Sequence, residues 1–339
     1  MRARIGIGLA AAAVLALGAA GQALAWGSTG HRLIGVAAME ALPGALPAFL
    51  RTRAAATAVG EFSREPDRSR EAGKAHDSDR DPGHFVDADD DGRIAGAVPL
   101  NALPPTREAY ETALRAAGTT SWKMGYLPYS IIENWQQLAK DFAYWRVDEA
   151  GARRVSDPSH RAWLAADGER REEQILIDIG QLSHFVGDGS MPLHLSVHYN
   201  GWGKYPNPNG YTEAKVHVPW EGAYVRRTVT LKGVRAAMAP FHDCACPIGE
   251  RVGAYLTDDL HQVIPFYQLE KAGAFQPGAQ RGAAFTTGRV AAGAAELRDE
   301  IVLAWRASAD EKVGYRPEVT AGEVEAGAVD PYVSLYGED

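Results

Sequence analysis

Gln181-Leu182-Ser183-His184-Phe185-Val186-Gly187-Asp188-Gly189-Ser190-Met191-Pro192-Leu193-His194 combines an apolar pattern with three residues able to bind a metal ion. From Ile175 to Val186 the apolar side chains recur at intervals of three and four, the period of an amphipathic helix. On such a helix His184 and Asp188 lie about 40° apart on one face, close enough to share an ion. Pro192 cannot continue the helix, so it is expected to end it and to turn His194 back toward the same cluster. The same spacing recurs in residues 33–42, 110–117, 131–145 and 290–305, whereas strand-like alternation is scarce, with residues 225–234 its main candidate. The chain is therefore expected to be mainly α-helical and without internal repeats. One domain over residues 26–317 is interrupted by long loops at residues 60–105, 198–211 and 239–253, and loops of that length in a compact domain are functional or disordered. The acidic tail, residues 318–339, lacks clear periodicity; it is read as partly disordered and given no role.

Residues 1–25 read as a secretory signal: Arg2 and Arg4 form the charged start, Ile5 to Ala20 the apolar run, and Ala23-Leu24-Ala25 a small-residue cleavage site. That start is too short for a membrane anchor, and no later run approaches the roughly 20 apolar residues of a spanning helix. The mature protein is expected to be soluble and secreted or periplasmic, with no transmembrane anchor and no stable protein partner implied. The chain carries 35 Lys+Arg against 43 Asp+Glu in 339 residues, a formal net charge of −8. A basic surface gripping nucleic acid is thereby disfavoured, although bound dications would still supply positive potential locally. Cys244 and Cys246 are the only cysteines. One intervening residue would strain a mutual disulfide, so no disulfide framework is expected. No second Cys pair completes a zinc site with them, and they are read as structural.

Cleavage before Trp26 would make a metal site by processing. Trp26-Gly27-Ser28-Thr29-Gly30-His31 would then offer a free amine, a carbonyl and an imidazole to one ion, the dication lowering the cost of deprotonating the amine. A second His-x-x-x-acid pair, His217 and Glu221, follows the loop at 198–211, and Asp67 and His84 lie in the first long loop. Imidazole and carboxylate together suit zinc. Five histidines, three carboxylates and the terminus exceed what one ion can use, so two or three ions are required, with Asp188 the natural bridge. Such an arrangement fits phosphoester cleavage: bridged ions generate hydroxide at neutral pH, and a third stabilises the leaving oxygen in an in-line displacement. Arg70 can neutralise charge growing on the phosphoryl oxygens, or simply pair with one of the loop's acids.

Taken together, Trp26-Gly27…Gly30-His31, Asp67…Arg70, His84-Phe85-Val86-Asp87, His184-x3-Asp188-x3-Pro192-Leu193-His194 and His217-x3-Glu221 resemble the zinc-dependent phospholipase C and nuclease superfamily, specifically its nuclease S-one/P-one branch. The resemblance covers Trp26 to Glu221; beyond it only helical character matches. It implies a helical phospholipase C/nuclease-like fold with a trinuclear zinc cleft. Asp67, His84, His184 and Asp188 would hold one ion, the Trp26 amine and carbonyl with His31 and Asp188 a second, and His194, His217 and Glu221 the third. The first two would share Asp188 and a bridging hydroxide. Phe85 would stack on a base and Asp87 accept its N–H. The implied activity is cleavage of single-stranded DNA and RNA to 5′-phosphate products, with 3′-nucleotidase activity toward nucleotides.

Both branches of the superfamily use these metals, so other residues must choose the substrate. Arg70, the short Trp26 to His31 interval and the long segment between His194 and His217 lean toward nuclease. Glu221 leans toward a phospholipase C acting on phosphatidylcholine-type lipids, because nucleases of this type usually have Asp there. Tyr199-Asn200-Gly201-Trp202-Gly203-Lys204-Tyr205 offers stacking faces for bases, worth about 1–3 kcal/mol each, or rings that pack the loop or touch lipid. A non-catalytic exported zinc-binding protein is the second alternative. Asp87-Ala88-Asp89-Asp90-Asp91-Gly92 looks like the start of a calcium loop, but the twelfth position is Val98, so a solvated acidic turn is expected instead.

Overall fold

Asp157 and Pro158 set the central hairpin. The Asp157 carboxylate accepts the N–H groups of Ser159 and His160 at 2.7 and 3.2 Å, and Pro158 opens the next helix where no N–H is needed. A computed structural model describes residues 26–70 and 79–337 of the chain. The expected signal and residues 71–78 of the first long loop lie outside the described residues. The helices are α1 (Gly27–Glu40), α2 (Arg53–Phe62), α3 (Glu65–Ser69), α4 (Arg107–Ala116), α5 (Ser121–Met124), α6 (Leu127–Arg154), α7 (Pro158–Gly189), α8 (Val225–Thr228), α9 (Leu231–Ala237), α10 (Ile248–Leu260), α11 (Val263–Lys271), α12 (Gln280–Ala307), α13 (Ala321–Glu325) and α14 (Tyr332–Tyr336). The described chain is mainly helical.

Helices α6 and α7 pack along one another, and α1, α2 and α12 pack against them. The five segments with helical spacing fall on α1, α4, α6, α7 and α12, two of them overrunning the helix end by a residue or two. The core runs through Ile34, Leu138, Phe142, Ile179, Leu182 and Ile301, each buried. No described helix is long and apolar enough to cross a membrane.

Three expectations are corrected. Residues 225–234 form no strand but the helices α8 and α9: Val225 of α8, Val234 of α9 and Val229 in the extended link between them are buried, and the Thr230 hydroxyl caps α9 by accepting the Gly233 N–H. Among the described residues the only paired strands are β1 (Arg93–Ile94) and β2 (Val98–Pro99), antiparallel and two residues each. The tail is ordered over its described residues, 318–337. A capping box between Thr320 and Glu323 starts α13, and Val319, Ala321 and Val324 bury against Ala143, Val147 and Ala150 of α6. These apolar residues are too few to show a period. Finally, Cys244 and Cys246 are joined by a disulfide. Ala245 between them adopts a left-handed φ of 49°, which turns the chain enough to bring the two Cα atoms to 5.1 Å.

Candidate metal centre and cleft

Helix α7 carries His184 and Asp188 on one buried face, with His184 Nε2 3.4 Å from Asp188 Oδ2. It ends at Gly189, and a single 3₁₀ turn from Pro192 to His194 swings His194 inward. From α1, His31 Nε2 approaches Asp188 Oδ1 at 3.5 Å, and from the segment after α3 His84 Nδ1 approaches Oδ2 at 3.1 Å. Gly187 makes the α1 approach feasible: a Cβ there would lie 2.9 Å from His31 Nδ1. His217 opens a helical segment that continues as a π-helical turn, Pro219–Tyr224, and its Nε2 lies 3.0 Å from Glu221 Oε2. Three groups of ligand atoms result, each with its members within 4.8 Å of one another: His31, His184 and Asp188; Asp67, His84 and His184; His194, His217 and Glu221.

The proton positions show that these groups suit a cation. His184 Nδ1 lies 2.8 Å from the Ser63 carbonyl and His194 Nδ1 2.6 Å from the His84 carbonyl. Each Nδ1 must therefore carry the proton, leaving a lone pair on Nε2. The His184 lone pair points at His84 Nδ1 (2.9 Å) and Asp188, the His194 lone pair at His217 Nε2 (3.0 Å). An imidazole held by a backbone carbonyl with its other nitrogen aimed at carboxylates is the arrangement of a metal ligand and its outer support. Burial and the neighbouring imidazoles hold His84 and His194 well below the usual histidine range, and burial takes His184 to about 3. Burial and the Asp67 carboxylate push Asp188 well above the carboxylate range. Neutral imidazoles keep lone pairs to offer, the ionised form of a fully buried carboxyl is costly without a counter-charge, and a dication would supply that charge.

Trp26 stands one turn before His31. Its carbonyl accepts the Gly30 N–H at 3.1 Å, its indole N–H donates to Ser190 Oγ at 2.8 Å, and its ring meets Trp220 edge-on. The peptide bond whose cleavage would free its nitrogen lies outside the described residues.

In front of the second and third groups opens a cleft of about 560 Å³, with His84, His194 and His217 on its floor and Arg70, Asp81, Phe85, Asp87, Lys123, Leu193 and Tyr199 around it. Residues 86–88 run beside residues 194–197, with Val86 N–H donating to the His194 carbonyl and Ala88 N–H to the Leu195 carbonyl. This extended pairing buries Val86 and Ala88 and leaves the alternate residues, Phe85 and Asp87, facing the cleft. Burial raises the Asp87 carboxyl to about 7. Arg70 is nearly buried, its Nε donating to Asp81 at 2.6 Å and Nη1 to Asp67 at 3.3 Å, so it both borders the cleft and pairs with the loop's acids.

The aromatic loop divides. Trp202 is buried, stacked on His198 and bonded to the Pro206 carbonyl, so it is unavailable to a ligand; Tyr199 and Tyr205 are exposed. Asp89 accepts the N–H groups of Asp91 and Arg93, making the acidic stretch the turn that leads into β1. Sequence reasoning missed Lys123. It reaches the cleft because Gly125, at φ 78°, passes against the Phe85 carbonyl, where a Cβ would lie 1.9 Å away. Only that close approach, invisible in local pattern, marks it. No family model, curated protein or solved structure matches the chain.

Proposed function

We propose that this chain is an exported zinc-dependent phosphodiesterase holding three zinc ions, which hydrolyses single-stranded DNA and RNA to 5′-phosphate products and acts on 3′-nucleotides as well. The observation that carries the reading is the packing together of three imidazole and carboxylate groups, two of which reach one cleft that Arg70 also lines. When bound, zinc supplies acidified water and Lewis-acid stabilisation of phosphoryl oxygens. Asp67, His84, His184 and Asp188 would hold the first ion, His31 and Asp188 with the freed Trp26 terminus the second, and His194, His217 and Glu221 the third. Arg70, braced by Asp81 and Asp67, meets the charge that grows on the phosphoryl group. Phe85 offers a ring to a base, and Asp87, when ionised, accepts a base N–H. Lys123 adds positive charge to a site on an otherwise acidic protein.

Glu221 and the exposed ring of Tyr199 at the cleft favour a second reading, a phospholipase C acting on phosphatidylcholine-type lipids. A zinc-binding protein without turnover is the third. Arg70→Ala separates catalysis from binding. The nuclease reading expects unchanged zinc content and a fall of about 10²–10³-fold in kcat on single-stranded DNA, the usual cost of removing a donor aimed at transition-state charge. Equal rates in the variant would remove Arg70 from the reaction.

A further inference from the structure

The Cys244–Cys246 disulfide belongs to none of the three ligand groups and does not line the cleft. As a staple it does little, because loop-closure stabilisation grows with the length of chain enclosed and here a single residue lies between the cysteines. The surrounding segment is already tied down without it. His242 N–H donates to Asp299 Oδ2 at 3.0 Å, Arg251 Nη1 to the His242 carbonyl at 2.9 Å, Arg298 Nη1 to the Ala239 carbonyl at 2.8 Å, and Arg306 pairs with Asp243 at 2.8 Å.

Three features suit the pair to exchange chemistry. Both cysteines are partly exposed, which leaves an external thiol a route to them. Ala245 is held at φ 49°, a conformation disfavoured for a residue with a Cβ, which opening the ring would release. Cys246 stands two residues before the first residue of α10, a helix of 13 residues whose N-terminal partial positive charge favours a thiolate beside it.

We infer that Cys244–Cys246 is an exchange-active disulfide that takes two electrons from a small dithiol or a pair of thiols. An external thiolate attacks Sγ of Cys244, the S–S bond breaks, and its electron pair leaves on Cys246 as a thiolate. The external sulfur of the mixed disulfide is then attacked by the second thiolate, forming a new external disulfide and releasing the Cys244 thiolate. Two thiols are oxidised to one disulfide, the cysteine pair is reduced, and the two protons lost by the thiols end on the cysteines.

The test uses the chain starting at Trp26 in glutathione buffers of graded ratio, with acid quenching, alkylation and mass analysis. The pair is expected to be reduced by millimolar glutathione within minutes while the far-UV circular dichroism stays unchanged. Ala245→Gly, which relaxes the left-handed residue, should make reduction about fivefold harder. In single variants, Cys246 in Cys244→Ser should react with iodoacetamide at pH 7 about tenfold faster than Cys244 in Cys246→Ser, the effect of one unit in thiol acidity. A pair that stays oxidised until the chain unfolds would overturn the inference even if the single variants fail to fold. Equal, slow alkylation of the two thiols would overturn the role given to α10.

Discussion

Asp188 carries more of the site than any other single side chain. It is fully buried among His31, His84 and His184, and among the described residues its carboxylate forms an ion pair with no Lys or Arg. Asp188→Asn keeps the volume and removes the charge. The variant should lose metal from the two groups that meet at this residue and lose activity by at least about 10²-fold. Without metal it should melt higher than the metal-free parent at pH 7, because a buried carboxyl with a raised pKa no longer opposes folding. Metal analysis and calorimetry read both, and unchanged metal content would remove Asp188 from the centre. The His184/Asp188 and His217/Glu221 pairs were legible in the sequence because four-residue spacing is a local property. The Ser63 and His84 carbonyls that orient the imidazoles, and Lys123, were not, because tertiary approach alone brings them in.

Helix α7 joins site and scaffold, and its face toward α1 is set by Gly187. Gly187→Ala alters no ligand, yet the new methyl would press on the His31 ring and on Ile34. It should weaken metal binding in the group containing His31 while destabilising the fold by only about 1–3 kcal/mol, as expected of overpacking. Metal titration against chemical denaturation separates the two effects, and full metal affinity would contradict the close approach. On the opposite helix, Asp148 of α6 is buried, and burial together with the Asp167 carboxyl raises it to about 8. An unfolded aspartate titrates near 3.9, so the folded state keeps a proton that the unfolded state releases, and this contribution to stability is lost as pH rises from about 4 to about 8. Asp148→Asn does not titrate. Its melting temperature relative to the parent should rise steadily across that window, the gap reaching at least roughly 1 kcal/mol, and thermal melts at pH 4, 6 and 8 measure it. A constant gap would contradict the account.

For the molecule as a whole, helical character was legible wherever a long amphipathic face existed, as in α6, α7 and α12. It failed where helices are short: α8 and α9 looked like a strand because Val225, Thr228, Val229, Thr230 and Val234 crowd β-branched side chains into ten residues. The tail failed for the same reason, its few apolar residues gaining order only against α6 and α7. The disulfide was missed because spacing alone cannot show that Ala245 takes a left-handed turn. The central claim concerns what the assembled cleft does. The most direct measurement takes the chain starting at Trp26, determines zinc per molecule, and follows cleavage of single-stranded DNA, RNA and phosphatidylcholine before chelation, after it and after zinc is restored. The account predicts about three zincs and nucleic-acid cleavage that disappears with the metal and returns with it. Zinc-loaded protein that cleaves neither DNA nor RNA would contradict it, and cleavage of the lipid alone would assign the cleft to a phospholipase.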